Sequence, residues 1–354
     1  MFQNSSNRFL SSIAAIAVFV SCAACAQNKY QVQDLGVIVD LPGRTDSGPI
    51  AINRSGIVAG VNVTNGFYQA MIFDGTWKPI GTLGGNESLA AGIDDAGRVV
   101  GSSQTAEAST NAFLWSDSFT NGLVNPQMKN IGTLGGPVSE AYSINDSGKV
   151  TGYSDVPARP SPQQHAFVYA FGQMTDISTG LFQIPNSFGY AINSRGHVAG
   201  AGFDIAYTSP HVFFFDGTNA HDLGTFGGIA ATALALNDSD VIAGYLTTTS
   251  VVDHAFGYIA GSVTDLGTLG GHYSYALGIN NSNVVVGGSF IDFNDQVYHA
   301  FIWKDGSMQD LNAQLDSTGA GWNLTEARAI NDAGQIIGVG TLNGMNHGFL
   351  LSPA

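Results

Sequence analysis

The stretch Ile144-Asn145-Asp146-Ser147-Gly148-Lys149-Val150-Thr151-Gly152 decides how this chain is read, because it recurs. Its pattern, Ile-Asn-x-x-Gly-x-Val-x-Gly, stands at Ile52–Gly60, Ile93–Gly101, Ile144–Gly152, Ile192–Gly200, Leu236–Gly244, Ile279–Gly287 and Ile330–Gly338. The Asn or Asp positions of the seven copies are 41 to 51 residues apart. Each copy is a turn between two short apolar runs. The Asn or Asp side chain accepts a hydrogen bond from backbone two residues on, and Gly supplies the positive φ that closes the turn.

Two further phrases accompany it. His-Ala-Phe-x-Trp-x-Asp-Gly is fullest at His299–Gly306, with weaker copies starting at Gln69, Asn111, His165, His211, His254 and His347. Asp-Leu-Gly-Thr-Leu-Gly-Gly stands at Asp265–Gly271, with relatives at Asp222–Gly228, Ile80–Gly85 and Ile131–Gly136. The runs are short, β-branched or aromatic, and bounded by Gly, Asn, Asp and Ser, so each unit reads as four strands, A to D, in meander order. Four strands in 40 to 50 residues is about the period of a β-propeller blade. The first recognisable strand, Gln31–Gly36, is a D strand with nothing before it, and the last unit ends on a C strand at His347–Leu351. The expected fold is therefore all-β, a seven-bladed propeller of four-stranded antiparallel blades, closed by residues 31–36 completing the last blade. Closure removes the open edge that an unclosed array must cap.

Composition agrees. The 354 residues include 46 Gly, 21 Phe and 12 Tyr, and only 11% are charged. Low hydrophobicity with high net charge is what keeps a chain disordered, and this chain has a hydrophobic content of 44%. Against 12 basic residues stand 27 acidic ones, a net charge of −15. That surface repels phosphate backbones and argues against nucleic acid as a partner. Residues 1–26 read as a secretory signal peptide: Arg8, an apolar stretch from Phe9 to Val20, and the small-x-small site Ala24-Cys25-Ala26. A membrane anchor or lipoprotein attachment through Cys22 or Cys25 is the lesser alternative. The expected mature chain, 27–354, is then an exported single domain without cysteine and without a transmembrane segment.

The three phrases together resemble the HAF-repeat family, bacterial proteins described as probable extracellular repeats. The resemblance covers about residues 30–351. It implies export and carries no reaction, ligand or catalytic residue to transfer.

Chemistry is sparse. The recurrent histidines could ring the channel as metal ligands. Gln69 and Asn111 take the same position and are poor zinc ligands, so a repeated structural hydrogen bond is the better account. The Asn turns offer too few oxygens for calcium, and Asp292-Phe293-Asn294-Asp295 is the densest oxygen cluster. No Gly-x-Ser-x-Gly, His-Glu-x-x-His or Gly-Lys-Ser/Thr phosphate loop is present. Neither a metal nor a cofactor is expected. With strand A innermost, the variable B–C loops and the D–A crossovers share one face. Ligand-binding candidates there are Asp155, Arg159, Asp204, Tyr207, Asp253, Asp292, Asp295 and Tyr298, with Trp322 in the stretch replacing the last crossover. The reading is a non-enzymatic binding module for an extracellular ligand, a carbohydrate or a protein. The alternatives are a polysaccharide hydrolase or lyase using loop carboxylates, and a purely structural envelope component.

Overall fold

The computed structural model describes residues 29–42, 47–119, 127–157, 163–179, 185–203 and 209–354. Residues 1–26, read above as a signal peptide, lie outside them, as do Arg159, Asp204 and Tyr207. The described residues form seven four-stranded antiparallel sheets. Six are meanders of consecutive strands; in the first, A to D are Gly48–Ile52, Val58–Thr64, Phe67–Phe73 and Trp77–Pro79. The seventh is composite. Trp322–Ile330, Ile336–Leu342 and Met345–Pro353 supply A, B and C, and Tyr30–Val37 supplies D from the other end of the chain. That strand pairs from Tyr30 opposite Pro353 to Val37 opposite His347, with a register shift between Asp34 and Gly36. The protein is a seven-bladed propeller closed as the termini predict.

Strand A of each blade packs against strand A of the next, all the way round, so the A strands line the channel. The recurrent glycine of strand B follows from a close crossing. A Cβ at Gly152, Gly200 or Gly338 would overlap the carbonyl oxygen of Glu140, Phe188 or Glu326 in the neighbouring strand A. The turn before it needs the left-handed conformation, at Gly148 (φ 80°) and also at Asp240 (62°) and Asn283 (59°). Asp and Asn tolerate it where Gly is missing.

The phenylalanine of His-Ala-Phe is the largest core contribution. Phe113, Phe167, Phe213, Phe256, Phe301 and Phe349 are all fully buried. Each such burial is worth about 1.5–3 kcal/mol. The cores lie between blades: Val100 and Ala112 of blade two pack with Ala141 and Phe167 of blade three.

Repeated polar residues hold this frame. The histidine of strand C pairs through Nδ1 with the aspartate of strand D in the same blade: His165–Asp176 (2.7 Å), His211–Asp222 (2.9 Å), His254–Asp265 and His299–Asp310 (2.8 Å each). His347 makes the same pair with Asp34 at 2.8 Å, and so clasps the two ends of the chain. The serine six residues before the Asn or Asp links blades: Ser88, Ser139 and Ser274 accept from the amides of Ala70, Ala112 and Ala255 in the preceding strand C, at 2.8–3.0 Å. In Gly-Thr-Leu-Gly-Gly, the hydroxyls of Thr82, Thr225 and Thr268 donate to the carbonyls of Gly85, Gly228 and Gly271, 2.8 Å each, and tie the crossover.

Candidate functional site

One mouth of the channel is ringed by the turns between strands A and B. The Oδ1 of Asn193 accepts from the amides of Arg195 and His197 in its own turn, at 3.2 and 3.0 Å. Its Nδ2 donates to the carbonyl of Asn237 in the next blade, at 3.1 Å. The pattern runs round the ring: Asn53 to Asp94, Asn145 to Asn193, Asn237 to Asn280, Asn280 to Asn331, and Asn331 back to Asn53. Asp94 has no N–H to give. Arg98 replaces it, donating from Nε to the Asp94 carboxylate and from Nη2 to the Asp146 carbonyl at 3.1 Å. Outside this ring, Asp95, Asp146, Asp238 and Asp332 accept amides of neighbouring blades, at 2.8–2.9 Å. They frame a cavity of about 200 Å³ floored by Ile52, Ile93, Ile144, Ile192, Leu236, Ile279 and Ile330. No group of three or more metal-ligating side chains occurs among the described residues. This mouth is a seven-fold structural clasp.

The other mouth is different. Side chains on a strand alternate. In strand A the residues six and four before the Asn are small, mostly Ser and Ala as in Ser139 and Ala141, and pack between blades. Those five and three before it vary. In blade order they are Gly48 and Ile50, Leu89 and Ala91, Glu140 and Tyr142, Phe188 and Tyr190, Thr232 and Leu234, Tyr275 and Leu277, Glu326 and Arg328. Most are half-buried and stand on the channel wall.

Rings fill one arc of that wall. Tyr142 lies 5.3 Å from Tyr190 and 5.9 Å from Tyr153, Tyr153 lies 5.0 Å from Phe188, and Phe188 lies 5.5 Å from Phe203. Tyr245 and Tyr275 meet at 5.2 Å. Tyr298 enters from strand C over Gly288, where any side chain would overlap its ring. Burial, with Tyr245 and Glu140 nearby, pushes the Tyr190 phenol up to about 12. Burial raises those of Tyr142, Tyr153, Tyr275 and Tyr298 further, and the charges of Glu140, Asp253 and Glu326 add to it. At neutral pH these phenols are therefore proton donors. Tyr142 donates to Glu140 at 3.3 Å, and Tyr153 also bonds to it. Tyr275 donates to Asp253 at 3.0 Å, and Thr247 does so at 2.7 Å.

The opposite arc is left open. Gly48 and Ala91 are small there, and a cavity of about 300 Å³ is lined by Ile50, Val61, Leu89, Ala91 and Ser102 on one side and by Glu140, Tyr142 and Arg328 on the other. Arg328 is fixed by Glu326, at 2.8 Å from Nε, and by the Ser47 carbonyl, at 3.1 Å from Nη1. Gly48 (φ 115°) makes room for it, since a Cβ would lie 3.1 Å from Nη1. The cavity thus offers an aliphatic wall, a carboxylate acceptor, and guanidinium and phenol donors.

Of the residues singled out from the sequence, Asp253 and Tyr298 join this channel cluster. Asp155 sits buried on strand B of blade three, bonded by Gln164, and burial pushes its carboxyl up. Asp292 is used within its own loop, accepting the amides of Gln296 and Val297 at 2.9 Å each, with the Val297 bond foremost in holding its carboxyl below the usual range. Asp295 accepts the backbone amide and pairs with Nδ1 of His272, 2.8 Å each, so the oxygen-dense tetrapeptide is a loop closure. Trp322 opens strand A of blade seven and packs edge-on to His347 (6.0 Å) and Phe349 (6.2 Å), rather than standing in a loop. Arg159, Asp204 and Tyr207 lie outside the described residues. Glu140, Tyr142, Phe188, Tyr190, Tyr275 and Arg328 were not singled out. The signal was present, as variable positions alternating with uniformly small ones in strand A.

No known family model matches this chain, and no curated protein does. Solved propellers do. The β-propeller domain of the Trilobed protease from Pyrococcus furiosus, a propeller of open velcro topology, aligns with a TM-score of 0.53 at 11% identity over 77% of this chain and 85% of its own. A puromycin-hydrolyzing peptidase of Mycobacterium tuberculosis aligns with 0.57 at 11% identity over 87% of this chain. The acylaminoacyl peptidase of Pyrococcus horikoshii aligns with 0.52 at 12% identity over 92%. The chain spans about half the length of these two peptidases, 51% in each case. At such identities the likeness is one of fold.

Proposed function

We propose that this protein is an exported binding module of the HAF-repeat kind, which takes a small polar ligand into the channel cavity between blades seven and three and does not transform it. One observation carries the reading. Within strand A the blade-to-blade variation falls on the channel wall, where Glu140, Tyr142 and Arg328 converge on one cavity, while repeated polar side chains of the frame are engaged in hydrogen bonds. A rigid concave site with an apolar wall and a few convergent polar groups is the usual form of a small-molecule site. The carboxylates Glu140, Glu326 and Asp253 are each held by neighbouring donors, which suits recognition.

The alternative, a polysaccharide hydrolase or lyase using carboxylates, has Asp155 as its candidate acid, a buried carboxyl shifted upward from its ordinary value by that burial. A thermal-shift screen of the full chain against amino acids, monosaccharides, oligosaccharides and short peptides, followed by mass spectrometry of any hit after incubation, tests both. The module predicts stabilisation with the ligand recovered intact, and loss of the shift in Tyr142→Ala. Recovered cleavage products that vanish in Asp155→Asn overturn it in favour of the hydrolase.

A further inference from the structure

We infer that the ligand of the channel cavity is a small zwitterion, an α-amino acid with an aliphatic side chain. The inference rests on the channel reading above and names its ligand class. A cavity of about 300 Å³ is at the small end for organic ligands, and a free amino acid fits it where a polymer does not. Two opposite charges line it. Arg328 is pre-aimed by Glu326 and the Ser47 carbonyl, and its Nη2 has no hydrogen bond to a described residue. Guanidinium is the side chain suited to a carboxylate. Glu140, buttressed by the phenols of Tyr142 and Tyr153, stands on blade three and is suited to an ammonium, with the Tyr142 ring adding a cation–π face. Between these groups Ile50, Val61 and Leu89 present hydrocarbon. A zwitterion engages both, its carboxylate at the Nη2 edge of Arg328 and its ammonium at the carboxylate of Glu140, whereas a neutral or singly charged ligand engages at most one in this way.

The test is calorimetric titration of the full chain with L-leucine, isoamylamine, isocaproate and glucose. Leucine is expected to bind, with the amine and the acid each at least tenfold weaker, because a site built for a polar group rejects the analogue lacking it. Arg328→Gln and Glu140→Gln are each expected to weaken leucine at least tenfold, and Arg328→Gln to leave the amine unchanged. Arg328→Lys keeps the charge without the fork and is expected to fall between. The four probes on the unaltered chain decide the matter even if a variant fails to fold. Isoamylamine or isocaproate binding as well as leucine overturns the zwitterion. Glucose binding in place of leucine overturns it too, with the channel reading intact. Silence from all four overturns the zwitterion, and a hit elsewhere in the screen that is insensitive to Tyr142→Ala overturns the channel reading with it.

Discussion

At the mouth ringed by the A–B turns, six asparagines and one aspartate do one job seven times: each turn is closed by its own Oδ1 and tied to the next blade through Nδ2, or through Arg98 where Asp94 cannot donate. At the opposite mouth the seven blades contribute pairs as unlike as Gly48 with Ile50 and Glu326 with Arg328. The difference teaches where constraint lies. A position whose side chain must satisfy the neighbouring blade cannot vary without leaving a buried group unpaired. A position facing the channel is free of the frame and open to selection for a ligand.

If that division is right, the frame should be sensitive and the wall tolerant. The largest loss is expected from Gly152→Val, which drives side-chain atoms into the Glu140 carbonyl. About 3 kcal/mol should be lost in urea unfolding, at the upper end of overpacking costs. Asn193→Ala removes both an intra-turn acceptor and the inter-blade donor, and should cost about 2 kcal/mol for buried partners left unmatched. A loss as small as that of a surface substitution would erase the contrast.

Asp94→Asn sharpens it. Burial raises the Asp94 carboxyl above its ordinary value, with Arg98 opposing. A raised folded-state pKa contributes stability that is fully present below the unfolded value and is lost as pH rises through the folded one. The unaltered protein should therefore lose this contribution on the acid side as pH rises. The Asn variant, which also supplies the missing ring amide, should not. The difference between their stability–pH curves should open across that window and then level off, and parallel curves would refute it. The smallest effect is expected at the wall: Tyr142→Leu should shift unfolding by less than about 1 kcal/mol while abolishing ligand binding.

The blade count, the strand order and the closing strand were all legible, because each rests on a local signal repeated along the chain. Asn-x-x-Gly announces a turn wherever it stands, and an unmatched D strand at one end implies an unmatched C strand at the other. The histidines were legible as structural from Gln69 and Asn111, though their partner, the strand D aspartate of the same blade, was not. The candidate site was hardly legible. Attention to the loops found Asp253 and Tyr298. It also took in Asp292, which closes its own loop, Asp295, which is tied to His272 of the preceding crossover, and Trp322, which the core claims.

The sequence by itself determined a closed ring of seven four-stranded blades, since periodicity and turn chemistry are properties of neighbouring residues. Only the tertiary structure decided the cavity. Ile50, Leu89, Glu140 and Arg328 come from four blades, and Arg328 meets the Ser47 carbonyl across 281 residues of chain. Which variable side chains converge is set by the ring's curvature, and by where small residues such as Gly48 and Ala91 leave room, and no local pattern encodes either.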